Sequence, residues 1–188
     1  ESLHQVLSYA ATQVKNQLLS LFQAAVESED TEASLCLANF ASEMGVTHVE
    51  YFAEGQGDSL AIPELCMLAT AHREDAVSHV GIEFWEVLQE VELAEREPSL
   101  RKPIYNRLFG VLLTRSSYPS DFTGWDSAAI DQDEFERYRL YAVPEIFVSC
   151  AYVLQEETII GLGGALQEQQ QWPQVEACLF SLSCLAPV

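Results

Sequence analysis

His72, His79 and Glu83 fall at i, i+7 and i+11, a spacing that puts them on one side of an α-helix, with Asp75 one turn before His79. Imidazoles and carboxylates on one helix face are the donor types of a divalent metal site. The close His-Glu-x-x-His pairing is missing, however, and the set reads as the polar surface of a solvated helix. Gly161-Leu162-Gly163-Gly164 follows the apolar pair Ile159-Ile160 but lacks the third spaced glycine, the preceding strand and the later acid of a dinucleotide loop, so it reads as a loosened helix junction. There is no Gly-x-Ser-x-Gly elbow, and no cysteine has a histidine partner that sequence alone nominates. Cys36, Cys66, Cys150, Cys178 and Cys184 are odd in number, widely spaced and mostly within apolar helical pattern, which predicts buried reduced thiols in an intracellular setting. The expectation is a chain that is not an enzyme and has no metal and no cofactor.

Charge points to binding instead. Twenty-nine acids against nine bases give a net charge of −20. Nucleic acid and anionic membrane both need a positive surface, so neither is expected as a partner, and a basic protein is. Residues 1–95 hold seventeen acids and two bases, Lys15 and Arg73, whereas 96–188 hold twelve acids and seven bases, so the net charge splits as −15 and −5. The apolar runs are interrupted well before the roughly 18 residues of a membrane span, and no basic-then-apolar leader opens the chain. A soluble protein without a targeting signal is expected.

The elements that would carry these groups are helices. Residues 3–27 read as one long helix bent near Ala11, with Leu7, Val14, Leu18, Leu21, Phe22 and Val26 on its buried face. Thr31 caps a second helix that runs to about residue 54, and GQGD at 55–58 breaks it. SLAIPELCMLATAH and HREDAVSHVGIEFWEVL then form a tightly turned helix pair that ends near Arg96. Val77, Val80, Phe84, Val87, Leu88 and Val91 make the apolar stripe of its second member. A helix over 99–115 accepts Pro103 in its first turn, an aperiodic acidic loop spans 116–132, and a helix over 131–157 is kinked by Pro144. A short glycine-loosened helix follows, and the last begins at Pro173.

Sequential helix pairs of about 40 residues without strand alternation predict an all-α, right-handed α-α superhelix of the HEAT/armadillo type, with about three to four pairs. These are 3–54, 58–96 and 99–157, with 158–188 starting the next repeat of a single array, a piece of a longer solenoid. Phe84, Trp85, Tyr105, Phe109, Phe135, Tyr138, Tyr141 and Phe147 fall at helical spacing and are expected in the core, Trp85 being the most exposed of them. Trp125 sits inside the long loop and either pins it or meets a partner, with pinning the preferred reading.

The order of these motifs resembles the middle of a karyopherin-β nuclear transport receptor, most like the transportin-SR and importin-thirteen branch. The resemblance rests on IPELCMLATAH, the adjacent Phe84-Trp85, the helix KPIYNRLFGVLLTR, Tyr118-Pro119 followed by DQDEFERYR, and Trp172 before VEACLFSLSCLA, over about residues 55–188. It implies a HEAT superhelix whose second helices, here 31–54, 74–96 and 131–157, line a concave face. It further implies binding of arginine/serine-rich or other basic cargo, release by the GTP form of the GTPase Ran, nucleoporin contacts, and shuttling between cytoplasm and nucleus. Asp126, Asp131, Asp133 and Glu134, with Trp125 among them, resemble an acidic intra-repeat loop of the kind that touches Ran. Glu83, Glu86, Glu90 and Glu95 would add to the acidic inner surface that holds cargo. The chain is short for such a receptor, lacking the N-terminal Ran-binding repeats and the later repeats that read arginine/serine segments. The alternative is a HEAT-type assembly scaffold, phosphatase-regulator or adaptin-like, that works through apolar faces without a transport role.

Overall fold

The computed structural model of the chain describes residues 2–119, 122, 134–168 and 171–186. It is all-α and HEAT-like, with no strand among the described residues. The chain divides into two compact units, Glu1–Leu100 and Arg101–Val188. Among the described residues no single helix is long and apolar enough to cross a membrane.

The first unit opens with α1 (Leu3–Gln13), whose N-cap Ser2 accepts from the Gln5 amide while the Gln5 side chain accepts from the Ser2 amide, so two otherwise orphaned donors are satisfied. A π turn, Val14–Leu18, joins α1 to α2 (Leu19–Glu27). The bend expected at Ala11 therefore falls one turn later, at the inserted residue that a π turn accommodates. Leu7, Ala11, Val14, Phe22 and Ala25 are buried on one helical stripe that runs through the turn, whereas Leu21 and Val26, expected in the core, lie beside that stripe and face solvent. Asp30, not Thr31, caps α3 (Thr31–Thr47) by accepting from the Ala33 amide at 3.0 Å. His48 interrupts the helix before α4 (Val49–Ala53).

α3 packs on α5 (Ala61–Thr70) and on α6 (Asp75–Leu88), which also pack on each other. Thr70 is the hub of that junction. Its hydroxyl donates to the Cys66 carbonyl at 2.8 Å and accepts from the Trp85 indole at 2.9 Å, while its carbonyl accepts from the Ser78 hydroxyl at 2.6 Å. Trp85, expected to be the exposed aromatic, is 0% exposed because its one polar atom finds a buried partner and its ring packs edge-on to Phe84. The helices approach closely at Gly81, where a Cβ would stand 2.4 Å from the Thr70 backbone nitrogen.

α6 stops at Leu88 rather than near Arg96. The following segment turns back, with the Arg96 guanidinium donating to the Val91 carbonyl at 2.9 Å and the Glu97 amide to the Ala53 carbonyl at 2.7 Å. Gly55, at φ +71°, leaves room there for the Glu97 side chain, whose Cγ would lie 2.2 Å from an added Cβ.

In the second unit α7 (Lys102–Arg115) takes Pro103 in its first turn, where no amide hydrogen is needed. α8 (Glu134–Arg137) runs through a second π turn, Tyr138–Ala142, into α9 (Val143–Leu154). The irregularity expected from Pro144 is that π turn, placed just before the proline that cannot donate to the preceding turn. α9 ends at Leu154, not at 157, because Gln155 adopts φ +55° and turns the chain 114° into α10 (Glu156–Glu168). Pro173 lies in the first turn of α11 (Trp172–Leu185). α7, α9 and α11 pack together around Tyr105, Leu108, Leu112, Ile146, Phe147 and Cys150. Tyr141, expected in this core, is instead 77% exposed, half a turn round the helix from the buried Cys150.

Candidate functional site: an arginine clamp at the base of the acidic segment

The acids expected to meet a partner are only partly within the described residues. Trp125, Asp126, Asp131 and Asp133 lie outside them. Glu134 is the exposed first residue of α8, where its charge favours the positive end of the helix. Glu83 and Glu86 are exposed on α6, and Glu83 accepts a hydrogen bond from the buried Ser42 hydroxyl at 2.9 Å, which ties α6 to α3. Glu90 and Glu95 are exposed too, but they follow the end of α6 at Leu88, so the four glutamates are not one helical stripe.

The histidines separate. His72 is buried beside the Phe22 ring, its Nδ1 accepting from the Glu74 amide at 3.1 Å, which corrects its reading as solvated surface. His79 points to solvent from α6. Among the described residues no three His, Cys, Asp or Glu side chains come together in a way that could hold a metal ion. Cys66, Cys150 and Cys178 are buried, and burial pushes each thiol above its ordinary range, which keeps it protonated and unreactive. Cys36 is exposed instead.

What the second unit does assemble is a clamp across the two ends of the acidic segment. Arg139, only 3% exposed, leaves the second π turn with its guanidinium 4.4 Å from the Tyr118 ring centroid and 4.1 Å from that of Phe180. One end of that fork donates to Glu176 of α11 at 2.7 Å. A flat, weakly hydrated cation suits a slot between aromatic faces, where an ammonium would lose its water without compensation.

Tyr118, at the near end of the segment, donates its hydroxyl to the buried Glu136 carboxylate at 2.5 Å, at the far end. Burial and that carboxylate acceptor push the phenol well above its ordinary pKa, so the proton stays on Tyr118. Trp172, 49% exposed, stacks on Tyr118 at 5.7 Å, and Phe122 packs against both rings. Phe135 closes the cluster, 5.3 Å from Tyr118. Residues on either side of the acidic segment are thus fixed to α11 and to each other.

Arg139 was not singled out in the sequence, although Arg137 and Arg139 stand beside the acidic run. The usable signal was the pair Tyr118-Pro119 and Trp172, separate motifs that meet in space. The arrangement ties the residues that flank the segment to one another; among the described residues it brings together no nucleophile, base and acceptor that would catalyse a reaction.

The packed helices of the described residues define a protein of the all-α, HEAT-like class. The relatives of the chain sharpen this. It is 26% identical to Transportin MOS14 of Arabidopsis thaliana over 88% of its own length and 28% identical to Importin-13 of Gallus gallus and of Homo sapiens over 86%. These proteins are homologues of the chain, and the likeness supports the karyopherin-β branch that its motifs resemble. The chain spans about a fifth of the length of these curated relatives, 20% of the transportin and 19% of the importins. No protein-family model matches it.

Proposed function

We propose that the chain is a segment of a nuclear import receptor, a non-enzymatic scaffold that holds basic cargo of the arginine/serine-rich type and yields it when Ran-GTP binds. The observation that carries this reading is the coincidence of transportin and importin relatives with a charge of −20, of which −15 falls in residues 1–95. A surface of one sign steers an oppositely charged partner and rejects nucleic acid and anionic lipid. In this reading 3–54, 58–96 and 99–157 are successive helix pairs of one array and 158–188 begins the next. Glu83, Glu86, Glu90 and Glu95 attract cargo, and Asp126, Asp131, Asp133 and Glu134, with Trp125 among them, meet Ran. The receptor shuttles between cytoplasm and nucleus and touches nucleoporins on the way.

The test is capture, on the immobilised full-length receptor of which the chain is a segment, of Ran loaded with GTP or GDP, alone and after loading with an arginine/serine-rich protein. Expected is retention of the basic protein and nucleotide-dependent capture of Ran with loss of the cargo. Equal capture of both nucleotide forms, or none, favours a HEAT-type assembly scaffold and refutes the transport role.

A further inference from the structure

The turn between α9 and α10 holds one residue in a strained backbone conformation. Gln155 adopts φ +55° and ψ −125°, the corner that a type II′ turn gives to glycine, and it carries a full side chain there. Its amide donates to the Ala151 carbonyl at 2.8 Å to close α9, and its carbonyl accepts from the Thr158 amide at 3.1 Å to open α10. What this strained turn secures is slight. α10 buries two of its thirteen residues, Thr158 and Leu162, whereas α9 buries seven of twelve. Thr158 enters the interior with its hydroxyl unpartnered, so docking α10 takes a polar group out of water and gives it no substitute. Gly161, Gly163 and Gly164 weaken the helix, and no close approach explains them, since an added Cβ at each meets nothing within 4 Å. Ala165 lines a cleft of about 290 Å³ with Thr114 and Ser117 of α7 and Gln174 and Cys178 of α11, so the far half of α10 is incompletely packed against its neighbours. At the near end the tie to α7 is the Lys102–Glu157 pair, 2.6 Å apart with both side chains half exposed, a kind of contact that contributes little.

We propose that α10 is a strap hinged at Gln155, which lifts from α9 and α11 as one piece while the rest of the second unit stays packed. Turn and helix favour this for separate reasons. Opening lets Gln155 return to an ordinary backbone conformation and gives the Thr158 hydroxyl back to water, and the two gains offset much of the lost burial of Leu162. The core does not depend on the strap, because α7, α9 and α11 pack on one another around Tyr105, Leu108, Leu112, Ile146, Phe147 and Cys150. A weakly held element joined by a strained turn to a well-packed core is the kind from which lids and switching segments are drawn. Lifting α10 widens the cleft that Ala165 lines and exposes the walls that α7 and α11 give it. The strap is a property of the second unit's packing and holds whether or not the chain carries cargo.

The experiment is native-state hydrogen exchange, read by mass spectrometry, on the full-length protein of which the chain is a segment, so that whatever flanks the chain is present. In the parent the amides of residues 160–168 exchange together and are at least about tenfold less protected than those of α9. Q155G, which relieves the strained backbone, raises the protection of α10 by about three- to tenfold and leaves α9 unchanged. Q155V, β-branched and worse suited to a positive φ, lowers it. Protection of α10 equal to that of α9 in the parent overturns the proposal, because the strap would then belong to the same rigid body. Protection of α10 in Q155G equal to the parent's overturns it as well, since the turn would not govern the opening, and Q155G decides this alone if Q155V fails to fold.

Discussion

At Arg139 a single side chain is asked to do three things: fill a slot between two rings, neutralise Glu176 and stay out of water. Charge and shape can be separated by substitution. R139M keeps most of the packing volume but leaves Glu176 unpaired, and urea denaturation is expected to show a loss of about 2–3 kcal/mol, at or below the low end for a broken buried pair because Glu176 is partly open to solvent. E176Q should cost less, and R139M/E176Q should cost less than the two separate losses added together, since removing both charges leaves none stranded. Additive losses in that cycle would show that the two side chains act independently. Little of this residue-scale detail was legible beforehand. The pairing of Tyr118 with Trp172 joins positions more than fifty residues apart, and periodicity within one helix is silent on such contacts. The burial of Trp85 escaped for a related reason, since its indole partner Thr70 lies in the preceding helix.

Elements were far more legible than contacts, because 3.6-residue periodicity and caps are local properties of the chain. What periodicity could not fix was the exact centre and width of each buried stripe, and Leu21, Val26 and Tyr141 lie at or beyond its edges. The end of α6 at Leu88 was missed because the residues after it stay helix-compatible, while the contact that turns the chain back, Glu97 to Ala53, is distant in sequence. Glycines give a test of element packing with opposite signs. G81A should destabilise by about 1–3 kcal/mol, since the new methyl meets the backbone of α5 rather than a movable side chain. G110A has nothing within 4 Å of the new Cβ and should gain about 0.5–1 kcal/mol from helix propensity. Thermal melts that shift in the same direction for both would contradict this account of the α5 and α6 junction.

The join of α1 to the segment before α5 is electrostatic and predicts a pH response. Asp58 accepts from the Lys15 ammonium at 2.6 Å and the Thr12 hydroxyl at 3.0 Å, and these hydrogen bonds hold its carboxyl below the usual range. A folded pKa below the unfolded one means the contribution is present above about pH 4 and disappears as pH falls through the lowered value. D58N should therefore be less stable than the parent at neutral pH, with the gap closing toward pH 3. A gap that stays constant over that interval would assign the loss to something other than the ionised carboxylate.

For the molecule as a whole, the HEAT-like class followed from helix pairing alone and the likeness to the transport-receptor branch from the order of a few motifs. Neither pairing nor motif order says which acids act together, because a carboxylate's work depends on the field of all its neighbours. A net charge of −20 on 188 residues produces that field, and salt measures it. The screening length is about 10 Å at 0.1 M ionic strength and about 3 Å at 1 M, so added salt removes the long-range attraction first and spares contacts already formed. For an arginine/serine peptide the association rate should fall steeply as salt rises, while the dissociation rate, governed by close stacking and paired charges, changes much less. Stopped-flow titration across that range measures both. If affinity declined with salt wholly through faster dissociation, short-range pairing and not the acidic surface would be doing the recognising. If neither rate responded, the partner would have to be sought among apolar surfaces, with the excess acidity serving only to keep the chain in solution.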